Sequence, residues 1–174
     1  LAEVYVISKR LFGTDHPDTL EAMAALATAH REAGNVTEAR TLFEELVTLR
    51  RRVLGPDHPD TLKAMAHVAA TNWAAGRREE AIDLLDQTAK TQSRVLGAEH
   101  PETILTLSGV ACMLRDQGRY EDAGELFRRT LEVRHRLLGP RHLSTYESAR
   151  NLGGLYLRQR RFAEAEELLV ARCY

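Results

Sequence analysis

What this sequence lacks narrows the reading first. It has only two cysteines, Cys112 and Cys173, in unlike local settings and in no CxxC pattern. Two thiols cannot build a disulfide framework, and free thiols fit a reducing, cytoplasmic compartment. Aromatics make up only 6%, with a single tryptophan, and the formal charge is −1. No basic field or stacking platform recommends nucleic acid, and none recommends an anionic membrane. No apolar run approaches the ~18 residues of a spanning helix, and no charged-then-apolar signal segment opens the chain. There is no nucleophile elbow, no P-loop and no glycine-rich phosphate cradle, so no catalytic residue and no cofactor is expected. The first residue is Leu1 rather than Met, which reads as a piece excised from something longer.

What the chain does have is enough apolar material for a core, 44% hydrophobic beside 28% charged in 174 residues, and a strict internal period. GTDHPDTL from Gly13, GPDHPDTL from Gly55, GAEHPETI from Gly97 and GPRHLSTY from Gly139 recur at intervals of 42. His16, His58, His100 and His142 keep that register without an insertion. Residues 13–54 and 55–96 share 19 identities in 42 positions.

Within a unit the signals are helical. Asp15-His16-Pro17-Asp18 reads as a helix start, with an oxygen-bearing cap, a proline in the first turn and an acid at the positive end of the dipole. A helical period through Leu20, Met23, Leu26, Ala27 and His30 runs to Gly34. A second helix follows from about Val36 to Leu54, with Leu42, Phe43, Leu46, Leu49 and Val53 as its stripe. Arg50, Arg51 and Arg52 close it where the dipole favours cations. No segment alternates apolar and polar residues for long, so the expectation is all-α, about nine helices. Residues 1–12 read as the second helix of a preceding repeat. Residues 13–54, 55–96 and 97–138 read as full repeats, and 139–174 as a partial, degenerate one, all in one repeat domain.

The small residues Ala27 with Ala39, Ala69 with Ala81, Ala111 with Ala123, and Gly153 with Ala165 fall where two helices would cross closely. This pattern resembles the tetratricopeptide repeat (TPR) family over essentially the whole chain. The 42-residue length and the L-G-x-D-H-P-D-T link resemble its kinesin-light-chain-like subclass, and are also similar to repeat arrays attached to many signalling ATPases. The resemblance implies a right-handed superhelical solenoid of stacked antiparallel helix pairs. Against the family's usual 34 residues, most of the extra length is expected in the second helices.

The resemblance also implies where a partner would bind, because in the family the first helices line the concave face. Carried over position by position, the groove is Thr28 and Arg31 in the first repeat, and Lys63, Ala66, Ala70 and Trp73 in the second. In the third it is Ser108, Cys112 and Arg115, with Leu105 and Asp116 beside them, and in the fourth Arg150, Gly154, Leu157 and Arg158. The family's usual paired asparagines, which clamp a cargo peptide's backbone, are replaced here by Ala24-Ala25, Ala66-His67, Ser108-Gly109 and Arg150-Asn151. Trp73 among small neighbours is the expected anchor. The basic excess in the last two repeats points to an acidic or phosphorylated segment. The four histidines are expected to cap helices and shape turns, not to bind metal, since successive repeats set them ~10 Å apart while zinc needs donors near ~2 Å. Glu44-Glu45, Glu166-Glu167 and the arginine runs ending at Arg52 and Arg136 read as solvated faces or dipole partners. The expectation is therefore a protein–protein interaction scaffold for a peptide or helix, within a larger signalling or adaptor protein. Self-association through exposed repeat ends, or a ligand-sensing repeat domain of a signalling ATPase, are the alternatives.

Overall fold

The computed structural model describes residues 1–170, as nine helices with no strand among the described residues. They are α1 (Ala2–Phe12), α2 (Pro17–Glu32), α3 (Val36–Leu54), α4 (Pro59–Ala74), α5 (Arg78–Val95), α6 (Pro101–Asp116), α7 (Tyr120–Leu138), α8 (Leu143–Arg158) and α9 (Phe162–Val170). Cys173 lies outside the described residues, as does the end of the partial repeat. The chain packs as two compact units that divide after Val95. In the first, α1 to α5 pack each on the next, and in the second α6 to α9 do the same. The second helices carry the extra length: α3 and α7 have 19 residues each, against 16 in α2, α4, α6 and α8.

The close crossings fall at the small residues. Ala27, Ala39, Ala69, Ala81, Ala111 and Ala123 are all fully buried at 0% exposure, so no room remains beside their methyl groups. In the last pair the room is smaller still. A Cβ on Gly153 would meet Leu169 Cγ at 2.9 Å, which explains glycine at that one crossing. Ala39→Leu is therefore expected to overpack the α2–α3 crossing and destabilise the chain by about 1–3 kcal/mol. A denaturation midpoint equal to wild type would show that the crossing is not where these alanines place it.

Of the two capping groups expected at the helix starts, the histidine and the oxygen of Asp15, only the histidine caps. The capping group is the imidazole of His16, not the carboxylate of Asp15: His16 Nδ1 accepts a hydrogen bond from the Asp18 amide at 3.2 Å. His58, His100 and His142 do the same for Asp60, Glu102 and Ser144. An imidazole nitrogen two atoms from Cβ reaches the same orphan amide that an Asx oxygen would. Asp15 is thereby free to pair with Arg52, 37 residues on, and Asp57–Arg94 (2.6 Å) and Glu99–Arg136 repeat the bridge. Each ties the start of a repeat to the end of its second helix. Being exposed, each adds only modest stability. The threonine of the motif closes the turn that precedes α4 and α6, whereas Thr145 donates to the Arg134 carbonyl and Thr19 Oγ1 has no hydrogen-bond partner among the described residues. Thr61 Oγ1 donates to the Gly55 carbonyl at 2.8 Å, and Thr103 Oγ1 to the Gly97 carbonyl at 2.9 Å.

The half-repeat is visible in the backbone. Left-handed residues recur every 21 positions from Gly13 to Gly139, and the next position in the series is Arg160, at φ 60°. An L side chain is disfavoured there, so the degenerate last repeat carries local strain that the others avoid.

Candidate functional site

In the first unit the candidate face is built on α2 and α4. Lys63, Ala66, Ala70 and Trp73 share one side of α4 because they are spaced three, four and seven apart. Lys63 is exposed, and the other three are half-buried. The guanidinium of Arg78, from the start of α5, lies 4.7 Å from the centre of the Trp73 ring. One face of the indole is thus covered by a cation, and the residue is neither fully buried nor bare. On α2, Thr28 spends its hydroxyl on its own helix, donating to the Ala24 carbonyl at 2.9 Å.

Arg31 joins the two helices. Its Nη1 lies 3.3 Å from His67 Nδ1, and the His67 ring stacks on Phe43 with centroids 4.8 Å apart and planes 17° apart. Burial first, and then the nearby positive charges of Arg31, Lys63 and Arg50, lower the His67 pKa from 6.5 to about 4. A neutral ring accepts from Arg31, whereas a protonated one would repel it. His67 occupies one of the places where the family clamps a peptide backbone. Here it packs against Phe43 and Arg31, and nothing in the sequence signals this.

In the second unit the candidate face is built on α6 and α8. Ser108 departs from expectation: at 8% exposure it is buried, and its hydroxyl has no hydrogen-bond partner among the described residues. A serine one turn before Cys112 reads as surface from spacing alone, but neighbouring side chains close over it. Cys112 is half-buried and free, and burial pushes its thiol pKa up, which makes it a poor nucleophile. Arg115 is held over the Phe127 ring at 6.0 Å and donates from Nε to Asp116 at 2.9 Å. Arg150, Leu157 and Arg158 are exposed. Gly154 has open space where a side chain would stand.

The structure also finds polar residues that periodicity had assigned to solvent. Arg50 is 4% exposed, donating to the Asp60 carbonyl at 3.0 Å and to Glu21 Oε1 at 2.5 Å. Its counterpart Arg134, 84 residues on, donates to the Ser144 carbonyl at 3.2 Å and Ser148 Oγ at 2.8 Å. Of the two acid pairs, Glu44 is held by Arg40 at 2.6 Å. No cluster of three or more His, Cys, Asp or Glu among the described residues could hold a metal ion. No helix among them is long and apolar enough to cross a membrane.

Comparison with known proteins agrees with this geometry. The tetratricopeptide repeat family model matches residues 1–45, 25–93, 66–123 and 105–170, together covering nearly the whole chain. Among solved structures, a kinesin-light-chain-like protein of Podosopora anserina with nearly identical TPR-like repeats superposes with a TM-score of 0.80. It is 28% identical, over 98% of this chain and 81% of its own. A variant of that protein gives a TM-score of 0.82 at the same identity and coverage. BtubC (BKLC) of P. vanneervenii, 20% identical over 98% of this chain and 70% of its own, also gives a TM-score of 0.82 and shares the fold. No curated protein matches the chain.

Proposed function

Because the chain belongs to the tetratricopeptide repeat family, whose members are in general protein–protein interaction scaffolds and not enzymes, we propose that it holds a partner protein on its first helices. The partner supplies an extended segment or a helix. It lies along α2 and α4 in the first unit, and along α6 and α8 in the second, in one repeat domain of a cytoplasmic signalling or adaptor protein. Thr28, Arg31, Lys63, Ala66, Ala70 and Trp73 are the contacts in the first unit. Cys112, Arg115, Arg150, Gly154, Leu157 and Arg158 are those in the second, and buried Ser108 is not among them.

The observation that supports this reading most is Trp73. A half-buried indole, covered on one side by Arg78 and flanked on α4 by Ala66 and Ala70, combines a large apolar area with low entropy cost on ordering. Trp73→Ala is expected to weaken partner capture by at least 30-fold, the equivalent of about 2 kcal/mol, while circular dichroism and solution mass stay unchanged. Capture equal to wild type would overturn the assignment of this face.

Self-association is the second reading, favoured by α1. Val4, Ile7 and Leu11 fall on one side of that helix and are 54%, 54% and 68% exposed. Light scattering from micromolar to near-millimolar protein separates the readings. A monomer throughout favours groove binding, whereas reversible growth that Ile7→Glu suppresses favours assembly. Leu169 at the other end is unsuitable for this purpose, because its side chain packs against Gly153.

A further inference from the structure

The second unit contains a pocket of about 230 Å³ where the start of α6, the end of α7 and the start of α8 meet. Its walls are mostly apolar, from Ile104, Leu105, Val133, Leu137 and Leu138, and Arg134 lines it with them. Leu105 and Leu137 are more than half exposed, at 58% and 53%.

The first repeat shows what an arginine in this setting binds. Arg50 and Arg134 occupy the same repeat position, and each donates through Nη1 to the carbonyl at the start of the following helix pair, Asp60 and Ser144. They differ at the other nitrogen. Arg50 Nη2 binds the carboxylate of Glu21, whereas Arg134 Nη2 has no hydrogen bond among the described residues. The reason is the residue facing it: the repeat position of Glu21 is taken by Leu105. Burial lowers the Arg134 pKa, and the nearby charge of Glu147, which makes no hydrogen bond to the guanidinium, offsets this only in part.

The acids that also line the pocket do not stand against a further carboxylate. Glu99 is already paired with Arg136, and Glu102 lies in the first turn of α6. The first repeat has the same arrangement, with Asp15 on Arg52 and Asp18 in the first turn of α2, and Glu21 still sits on Arg50.

We propose that this pocket binds an acidic side chain flanked by an aliphatic one, presented by a partner polypeptide. The partner's carboxylate takes the place on Arg134 that Glu21 takes on Arg50, and its aliphatic neighbour fills the space between Leu105 and Leu138. The inference rests on the reading of the chain as a protein-binding scaffold, and adds to it a second anchor and the chemistry that anchor selects.

The test is an amide-shift titration of the whole chain with acetyl-Leu-Glu-Leu-amide, using acetyl-Leu-Gln-Leu-amide and free 4-methylpentanoate as comparators. The acidic peptide is expected to shift the signals of Leu105, Arg134 and Leu138 with at least tenfold higher affinity than the glutamine peptide. Arg134→Gln should remove that preference. Leu105→Glu, which rebuilds the ion pair of the first repeat, should abolish binding at unchanged helicity. Equal binding of both peptides would overturn the role of Arg134, and no shift at these residues would overturn the site. Binding of 4-methylpentanoate alone would make it a small-acid site and overturn the peptide source. Failure here is distinguishable from failure of the groove reading, because Trp73 lies in the other unit: Trp73→Ala would still weaken capture by at least 30-fold if only the pocket were wrong.

Discussion

Phe43→Ala is expected to destabilise the first unit by about 3–5 kcal/mol, the largest loss any single truncation there should produce. Phe43 is fully buried at 0% exposure, within a cluster that includes Leu20, Met23, Ala27, Leu46, Ala64 and Val68. Removing the ring leaves a cavity that its neighbours cannot close. Ala27 and Ala64 have nothing further to extend, and Met23 and Leu46 are themselves at 0% exposure with contacts on every side. The ring is also the surface on which His67 stacks, so truncation should loosen the α3–α4 packing and the Arg31 contact together. Urea denaturation followed by circular dichroism is the measurement. The expected signature is a large fall in midpoint for the first unit. Because the stability of a repeat chain is close to a sum over neighbours, the transition should also broaden as the second unit outlasts the first. A loss below about 1 kcal/mol would mean that the α2–α3–α4 core is not packed around this residue.

The second large effect is on pH. His67 has an ordinary pKa of 6.5 when the chain is unfolded, and about 4 when burial and the charges of Arg31, Lys63 and Arg50 act on it. Between those values the unfolded chain binds a proton that the folded one refuses, so stability rises with pH across that window. The contribution is complete above pH 6.5, is lost progressively as pH falls toward 4, and changes no further below that. Undiscounted, the gap corresponds to about 3 kcal/mol. With the ring partly in solvent, screening reduces this to roughly 1–2 kcal/mol. Denaturation midpoints at pH 7 and pH 5 should therefore fall further apart in wild type than in His67→Phe, which keeps an aromatic ring on Phe43 but carries no proton. An identical pH dependence in the two proteins would show that His67 titrates as freely in the folded chain as in the unfolded one.

Both expectations depend on residues whose roles are unequally legible in the sequence. Phe43 is readable as core from its place in the stripe with Leu42, Leu46 and Leu49. His67 is not: a histidine beside Ala66 on a first helix looks like a groove residue. Only the position of α3 behind α4 shows the ring meeting Phe43 and Arg31. The same holds for Ser108, whose spacing on α6 matches Cys112 and Arg115, and which is nevertheless buried. Helical periodicity assigns a residue to a side of its own helix. It does not say how deep the neighbouring helices cover that side.

The sequence by itself determined the period, the helix pairs and the crossing points. These follow from local rules: a proline and a cap begin a helix, a left-handed glycine ends it, and only small residues allow two backbones to approach closely. The tertiary structure decided what the polar residues do. Asp15 and Arg52 meet although 37 residues separate them, and Arg50 is buried against Glu21. The identically placed Arg134 faces Leu105, and its second nitrogen has no hydrogen bond among the described residues. The helix dipole alone would have treated all these arginines alike. Their separate roles arise because a charge responds to whatever the fold brings within a few ångströms, and those partners come from elements distant along the chain.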